Sequence, residues 1–184
     1  NRRSIDERPK EVEARSRIGD WEADTIIGTN HRGAVVSLVE RKTGYAKLIR
    51  VPSKEAAGVT QAINKALRPF KEMVLTITFD NGKEFAGHEK IAKVLKADCY
   101  FADPYSSWQR GSNENRNGRI RRYLPKGTGF GDLAQEDLDA IVGEINDTPM
   151  KLLGYKTPNE VWDEEIAKLQ SKAASPNTSV ALTN

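Results

Sequence analysis

With 184 residues, the chain is long enough to bury one sizeable core and too short for two domains of typical size. Its hydrophobic fraction of 38% and charged fraction of 30% are ordinary for a soluble globular protein, and no apolar run approaches the roughly 18 residues that a membrane span requires. The single cysteine, Cys99, excludes an internal disulfide framework and a cysteine-based zinc site, so we expect a buried structural thiol.

The positive charge is unevenly distributed along the chain. A net charge of +3 does not by itself indicate a nucleic-acid partner. Six basic residues nevertheless crowd into one short stretch, and they are called the basic cluster here: Arg110, Arg116, Arg119, Arg121, Arg122 and Lys126. For an arbitrary protein such a run would be a solvated helix face.

The first 17 residues are highly charged and have almost no apolar pattern, which is typical of a linker or arm. They contain neither an apolar signal core nor an initiator methionine, so we expect a fragment of a longer protein that is not exported. The predicted division is therefore an arm at 1–17 that leads from a missing N-terminal region, a folded core at 18–168 and a flexible tail at 169–184.

Alternating apolar and polar residues predict the first half of the fold. Three β-branched runs at 21–27, 33–40 and 45–51, separated by short glycine-containing turns, predict an antiparallel meander. Apolar residues at intervals of four then predict a helix that Ser53 caps and Pro69 ends. A fourth strand at 73–79, a helix at 84–95 and a short strand at 98–101 follow.

The second half is predicted to be helical. We expect helices over most of 108–123 and over 134–146. In the second of these, the apolar residues are spaced so that they form one stripe along the helix. Thr157, Pro158 and Glu160 have the pattern of a capping box with a first-turn proline, and they predict the start of a last helix that frays beyond Lys172. The predicted fold class is α/β, a five-stranded mixed sheet with helices on both faces.

Acidic residues occupy two places that suit a metal-binding carboxylate. Phosphoryl transfer on DNA uses two divalent ions held by a few converging carboxylates. Asp80 closes a predicted strand before an Asn-Gly turn, which lets its side chain project at the rim of the sheet. In the first strand, Asp20, Glu22 and Asp24 share one face, so each could be the second ligand. Asp24 lies most centrally in the apolar run, but periodicity alone leaves the other two open.

Three segments resemble the integrase-core signatures of bacterial transposases. They are Gly-Asp-Trp-Glu-Ala-Asp at 19–24, Thr-Phe-Asp-Asn-Gly-Lys-Glu-Phe at 78–85 and Gly-Ser-Asn-Glu-Asn-Arg-Asn-Gly at 111–118. Over about residues 18–162 the chain is most similar to the insertion-sequence-thirty family. Members of that family resemble retroviral integrases, with a ribonuclease-H-like fold and an Asp, Asp, Glu triad, and they cut and join DNA at the ends of a mobile element.

Residue by residue, the resemblance implies a triad of Asp24, Asp80 and Glu114, and the thirty-three residues between the last two acids are typical of the family. It also implies two Mg²⁺ ions, for which Mn²⁺ can substitute, and DNA partners comprising transposon ends and target. A homo-oligomeric active assembly and a cytoplasmic, nucleoid-associated location in bacteria are further implications. The family's N-terminal helix-turn-helix region has no counterpart before Ile18, so recognition of the element ends is expected outside this chain.

DNA contacts are expected around Glu114. Helical spacing places Arg110, Arg121 and Arg122 near its face, and the basic cluster as a whole is predicted to bind DNA. Tyr105 and Trp108 are expected to stack on an unpaired base.

Two other functions remain open at this point. One is a ribonuclease-H-like nuclease that hydrolyses without joining, and the other is a non-catalytic DNA-binding module. Glu84, four residues after Asp80, is interpreted as a structural residue that favours the dipole of a helix first turn.

Overall fold

The computed structural model describes residues 1–104 and 118–175, apart from the side chain of His31. Within these residues six strands form one mixed sheet in the order β1-β6-β5-β2-β3-β4. The strands are β1 Arg3–Ser4, β2 Asp20–Ile27, β3 Ala34–Glu40, β4 Ala46–Val51, β5 Thr76–Phe79 and β6 Asp98–Phe101. The helices are α1 Lys10–Ala14, α2 Ala56–Leu67, α3 His88–Leu95, α4 over residues 118–123, α5 Gln135–Asn146 and α6 Pro158–Ala174.

The predicted antiparallel meander is confirmed in β2, β3 and β4. Trp21 pairs with Glu40 across β2 and β3, and Val36 pairs with Ile49 across β3 and β4. Strand β5 joins the other edge of β2 in parallel, and β6 joins β5 in parallel. Strand β5 is shorter than predicted because a 3-10 helix over Arg68–Met73 precedes it and the Val74 amide still donates to the carbonyls of Phe70 and Lys71.

The sheet has six strands rather than the predicted five, because the N-terminal arm, residues 1–17, contributes one. Within it, β1 pairs in parallel with β6, and both Ile5 and Val12 are buried. A two-residue strand is too short to show an alternating pattern, and its backbone pairing depends on a partner far along the chain. The arm therefore packs on the sheet, while the division of the chain into domains stays a prediction.

Two cores lie on opposite faces of the sheet. On one face α2, α3 and α6 cover a core that includes Trp21, Ile63, Ile77 and Trp162. The two tryptophans are buried and meet edge to face with ring centroids 5.8 Å apart. On the other face α4 and α5 cover a core that includes Ile26. Cys99 is buried as predicted, and burial raises the pKa of its thiol to about 12.

The helices differ from the predictions mainly at their ends. Ser53 does not cap α2, whose N-cap is Glu55. The predicted helix at 84–95 is a 3-10 turn over Lys83–Phe85 followed by α3.

Helix α6 begins with the predicted capping box, in which the Thr157 hydroxyl accepts from the Glu160 amide at 3.1 Å and the Glu160 carboxylate accepts from the Thr157 amide at 2.7 Å. The helix continues to Ala174, so the first residues of the predicted tail are helical. Among the described helices, none is both long and apolar enough to cross a membrane.

Strand β4 lies at the edge of the sheet, and two side-chain amides of α5 take the place of a neighbouring strand. Asn146 accepts from the Ala46 amide at 2.9 Å and donates to the Ala46 carbonyl at 3.0 Å. Gln135 accepts from the Arg50 amide at 2.9 Å and donates to the Leu48 carbonyl at 2.8 Å. The outward-facing polar groups of this edge therefore bind within the fold, which blocks pairing with another chain at these positions.

Candidate active site

Asp24 and Asp80 each lie two residues beyond the last paired residues of β2 and β5. The register matches Asp20 with Thr76 and Glu22 with Thr78. Continuing that register by two residues sets Asp24 beside Asp80, on strands that run about 4.8 Å apart. Both residues are half-buried. Two of the three predicted triad acids thus share one rim of the sheet.

The structure separates Asp24 from the two acids that share its face. Asp20 is only 1% exposed, where it accepts from the Arg17 guanidinium at 2.9 Å and from the Thr76 hydroxyl at 2.8 Å. Glu22 is equally buried and forms an ion pair with Arg41. Both carboxylates therefore serve as partners of arginines inside the fold, while Asp24 faces partly toward solvent. This arrangement favours Asp24 as the functional acid.

The turn after β5 fixes the orientation of the Asp80 carboxylate. The Gly82 amide donates to Asp80 Oδ1 at 2.7 Å. A Cβ at position 82 would lie 2.7 Å from that same oxygen and 2.2 Å from Glu84 Oε2. Only glycine fits there without displacing a carboxylate, so this turn brings two acidic side chains close to one point.

Glu84 is buried beside this turn and is already engaged within the fold. Its Oε1 accepts from the Thr25 hydroxyl at 2.7 Å and pairs with Lys54 Nζ at 2.7 Å. Burial works to raise its pKa, but the hydrogen bonds from Lys54 and Thr25 hold the pKa of Glu84 below its ordinary value. These contacts agree with a structural role, although the residue lies in a 3-10 turn and not in a helix.

Two basic residues near this rim were missed by sequence reasoning. Lys54 pairs with Glu84, and Arg2 of the N-terminal arm contacts the backbone of the Asp80–Gly82 turn. Neither residue lies in a motif or a periodic pattern, and both reach the site only through long-range packing. The resemblance to a family covered residues 18–162 and therefore did not include Arg2.

The basic cluster is divided between the described and the undescribed residues. Arg110, Arg116, Tyr105, Trp108 and the predicted third acid Glu114 lie outside the described residues. Helix α4 packs on the face that carries Asp24, because Ile120 and Leu124 share a core with Ile26.

The described members of the basic cluster differ in exposure. Arg122 and Lys126 are exposed, and Arg121 is half-buried. Arg119 instead donates to the Ile145 carbonyl at 2.9 Å, and burial lowers its pKa. Arg119 therefore has a packing contact with the end of α5, which the sequence did not suggest.

A metal site cannot be assembled from the described residues alone. Among them, no group of three His, Cys, Asp or Glu side chains is placed to hold an ion. Asp24 and Asp80 do supply partly exposed carboxylate oxygens, the donor type that Mg²⁺ prefers. A complete site would need a third ligand from the segment that contains Glu114.

The chain is similar in sequence to transposases of bacterial insertion sequences. It is 48% identical over 162 residues to the transposase of insertion sequence element IS4351 from Bacteroides fragilis, covering 88% of this chain and 50% of the relative. It is 37% identical over 164 residues to the transposase InsI of IS30A from Escherichia coli K12, covering 89% of this chain and 43% of the relative. The chain therefore spans about half the length of these curated relatives. No protein-family model matches it.

Solved structures show the same fold. The catalytic core domain of BIV integrase superposes with a TM-score of 0.63 at 21% identity, covering 83% of this chain and 98% of that one. A simian T-cell lymphotropic virus intasome, solved in complex with a PP2A regulatory subunit, gives a TM-score of 0.63 at 17% identity and covers 91% of this chain and 58% of that one. The ribonuclease-H-like fold predicted from the sequence is thereby confirmed. The chain is a homologue of bacterial insertion-sequence transposases, IS30-type elements among them, and it has the fold of retroviral integrase catalytic cores.

Proposed function

We propose that this chain is the catalytic domain of a DNA transposase, in which Asp24, Asp80 and Glu114 hold two divalent metal ions. The observation that carries the proposal is the register of β2 and β5, which sets Asp24 beside Asp80 when it is continued by two residues, while Asp20 and Glu22 pair with arginines. The similarity to transposases over 88% of the chain supports the same conclusion.

The chemistry follows from the donor set. When bound, two Mg²⁺ ions would activate the attacking oxygen and stabilise the leaving oxygen of a phosphodiester. The protein has to hold the carboxylates in place and present the DNA strand, so no covalent protein intermediate is needed. Water would be the first nucleophile, and the freed 3′ hydroxyl would then attack target DNA. Mn²⁺ should replace Mg²⁺, because both accept hard oxygen ligands.

DNA is the proposed partner, and α4 supports its placement. Arg121, Arg122 and Lys126 lie on the same face of the sheet as Asp24 and can neutralise phosphates beside the acids. Arg119 is a weaker candidate because its guanidinium donates to the Ile145 carbonyl at 2.9 Å, whereas the bond from Arg121 to the Leu124 carbonyl is longer, at 3.4 Å. DNA contacts by Arg110, Arg116, Tyr105 and Trp108 stay predictions, as do a homo-oligomeric assembly and a cytoplasmic, nucleoid-associated location.

The proposal is tested by metal binding and by strand transfer. Mn²⁺ binding is measured by electron paramagnetic resonance, and joining is measured with labelled DNA that carries a pre-exposed 3′ hydroxyl. We expect Asp24→Asn, Asp80→Asn and Glu114→Gln each to weaken Mn²⁺ binding and abolish joining without lowering the unfolding temperature. Asp139→Asn, an exposed acid on α5, is the control and should leave both measurements unchanged.

Specific outcomes would reject the proposal or one of its parts. Equal joining by wild type and all three triad variants would show that these acids are not the ligands. Cutting that depends on metal but is never followed by joining would favour the alternative of a ribonuclease-H-like nuclease. If wild type bound DNA but neither Mn²⁺ nor Mg²⁺, a non-catalytic DNA-binding module would be the better assignment.

A further inference from the structure

Arg2 connects the N-terminal arm to the turn that carries Asp80. Its Nη1 donates to the Asn81 carbonyl at 2.9 Å and to Asn81 Oδ1 at 3.0 Å, and its Nη2 donates to the Gly82 carbonyl at 3.1 Å. The guanidinium also lies over the Phe101 ring at 4.6 Å from its centroid. One exposed side chain thus makes three hydrogen bonds to two consecutive residues of the turn.

One of these bonds acts on the same peptide group that orients Asp80. The Asn81 carbonyl and the Gly82 amide belong to one planar trans peptide, so they point in opposite directions. The carbonyl accepts from Arg2, and the amide donates to Asp80 Oδ1 at 2.7 Å. Rotation of that peptide plane would therefore break both hydrogen bonds together.

A second contact holds the turn from the other side. The Asn81 side chain accepts from Arg2 through Oδ1 and donates through Nδ2 to the carbonyl of Ala102, the residue that follows β6. Ala102 in turn donates from its amide to the Phe79 carbonyl at 2.9 Å. Asn81 is thus fixed between the end of β6 and the arm, and Arg2 is the partner that the arm supplies.

We infer that Arg2 is a positioning residue, which orients the Asp80 carboxylate for metal binding by fixing the Asn81–Gly82 peptide plane. The inference rests on the proposed function for its metal, but the hydrogen bonds that carry it belong to this chain alone. A guanidinium suits the role because its planar fork can bind two carbonyls at once, which the single ammonium of lysine does not reproduce. The arm would then influence the site without contacting metal or DNA.

Arg3, the next residue along the arm, provides a closely matched control. Its guanidinium lies over the Tyr100 ring at 4.6 Å, the same distance that separates Arg2 from Phe101. Its ion pairs are with Asp98 at 2.9 Å and Glu7 at 3.7 Å, and among the described residues it makes no hydrogen bond to the turn. Arg2 and Arg3 therefore share exposure, a stacking geometry and a place in the arm, and they differ in contact with the Asn81–Gly82 peptide.

The test compares Arg2→Ala, Arg2→Lys and Arg3→Ala in the full chain with two readouts. The first is hydrogen exchange of the Gly82 amide by NMR, which reports its hydrogen bond without any metal. We expect exchange to accelerate at least about tenfold in Arg2→Ala, less in Arg2→Lys and not at all in Arg3→Ala. The second is the Mn²⁺ dissociation constant from electron paramagnetic resonance, which we expect to rise about tenfold in Arg2→Ala only.

The outcomes separate this inference from the proposed function. If Arg2→Ala leaves the exchange of the Gly82 amide at the wild-type rate, the inference is overturned whatever the metal does. Equal acceleration in Arg3→Ala would overturn it too, because pairing of the arm with β6 would then be the cause. Faster Gly82 exchange with an unchanged Mn²⁺ constant would also reject a positioning role. Wild type that binds no Mn²⁺ would instead refute the proposed metal site, and the amide exchange would still show whether Arg2 fixes the peptide.

Discussion

Replacing Asn146 by alanine should destabilise the chain by removing the cover of the β4 edge. Asn146 is 4% exposed, and its amide satisfies both the amide and the carbonyl of Ala46, which is itself 5% exposed. The substitution leaves two buried backbone groups without partners, and each such group costs about 1–3 kcal/mol. Because an open pocket lined by Ala46 lets water reach part of the site, we expect a total loss of about 2–4 kcal/mol in the free energy of unfolding.

The assay is chemical denaturation monitored by circular dichroism, supported by thermal melting. For a chain of this size a loss of that order lowers the unfolding temperature by roughly 5–12 °C. Gln135→Ala is the matched control, since it removes an amide that makes the same kind of paired contact to Leu48 and Arg50 from the same helix. Arg50 is exposed, so water replaces the partner of its amide, whereas Leu48 is 2% exposed and its carbonyl loses its partner. With one buried group left unpaired instead of two, the cost should be about half that of Asn146→Ala.

The comparison of the two variants decides whether burial controls the cost. If Asn146→Ala destabilises no more than Gln135→Ala, the two amides do not differ as their burial predicts. The reasoning about unsatisfied edge groups would then be refuted.

Three further perturbations test other parts of the fold. Gly19→Ala should lower the free energy of unfolding by at least about 3 kcal/mol or prevent folding, because Gly19 has a φ of +111° and an added Cβ would lie 2.1 Å from the Met73 carbonyl oxygen. A soluble variant with the wild-type melting temperature would contradict this. Trp162→Ala should cost about 3–5 kcal/mol in urea denaturation by opening the aromatic contacts of α6, and a loss under about 1 kcal/mol would mean that the site collapses to fill the gap. Burial works to raise the pKa of Glu165, but hydrogen bonds from Lys168 and Lys42 hold that pKa below its ordinary value, so its folded state binds fewer protons than its unfolded state. This stabilisation is complete above the ordinary pKa of about 4.3 and is lost as the pH falls through the lower folded pKa. Glu165→Gln should therefore lower the free energy of unfolding at pH 7 and make its decline on acidification shallower. Parallel plots of that free energy against pH for the two proteins would argue against the linkage.

Local patterns in the sequence predicted most of the regular elements. The alternation of apolar residues located β2, β3 and β4, and the Thr157 capping box located the start of α6. These features depend on neighbours within a few residues, so a single sequence contains the information. Elements whose bounds depend on tertiary packing were predicted less well, as the 3-10 turn over Lys83–Phe85 shows.

For the candidate site, the sequence supplied the candidate acids but did not choose among those of β2. Periodicity placed Asp20, Glu22 and Asp24 on one face, and only the family resemblance selected Asp24. The tertiary structure supports the same choice, because Arg17 pairs with Asp20 and Arg41 pairs with Glu22. An arginine pairs with a carboxylate by proximity in space, which spacing along a strand does not encode.

By itself, then, the sequence determined the α/β class, the order of most elements and the carboxylates available for a metal site. Only the tertiary structure decided that Arg3–Ser4 adds a sixth strand, that arginines pair with Asp20 and Glu22, and that Arg2 reaches the turn after β5. Strand and helix patterns arise from backbone geometry that repeats every two or about 3.6 residues, and are therefore readable locally. Contacts between the arm and a distant turn have no period, because they exist only once the sheet has brought those segments together.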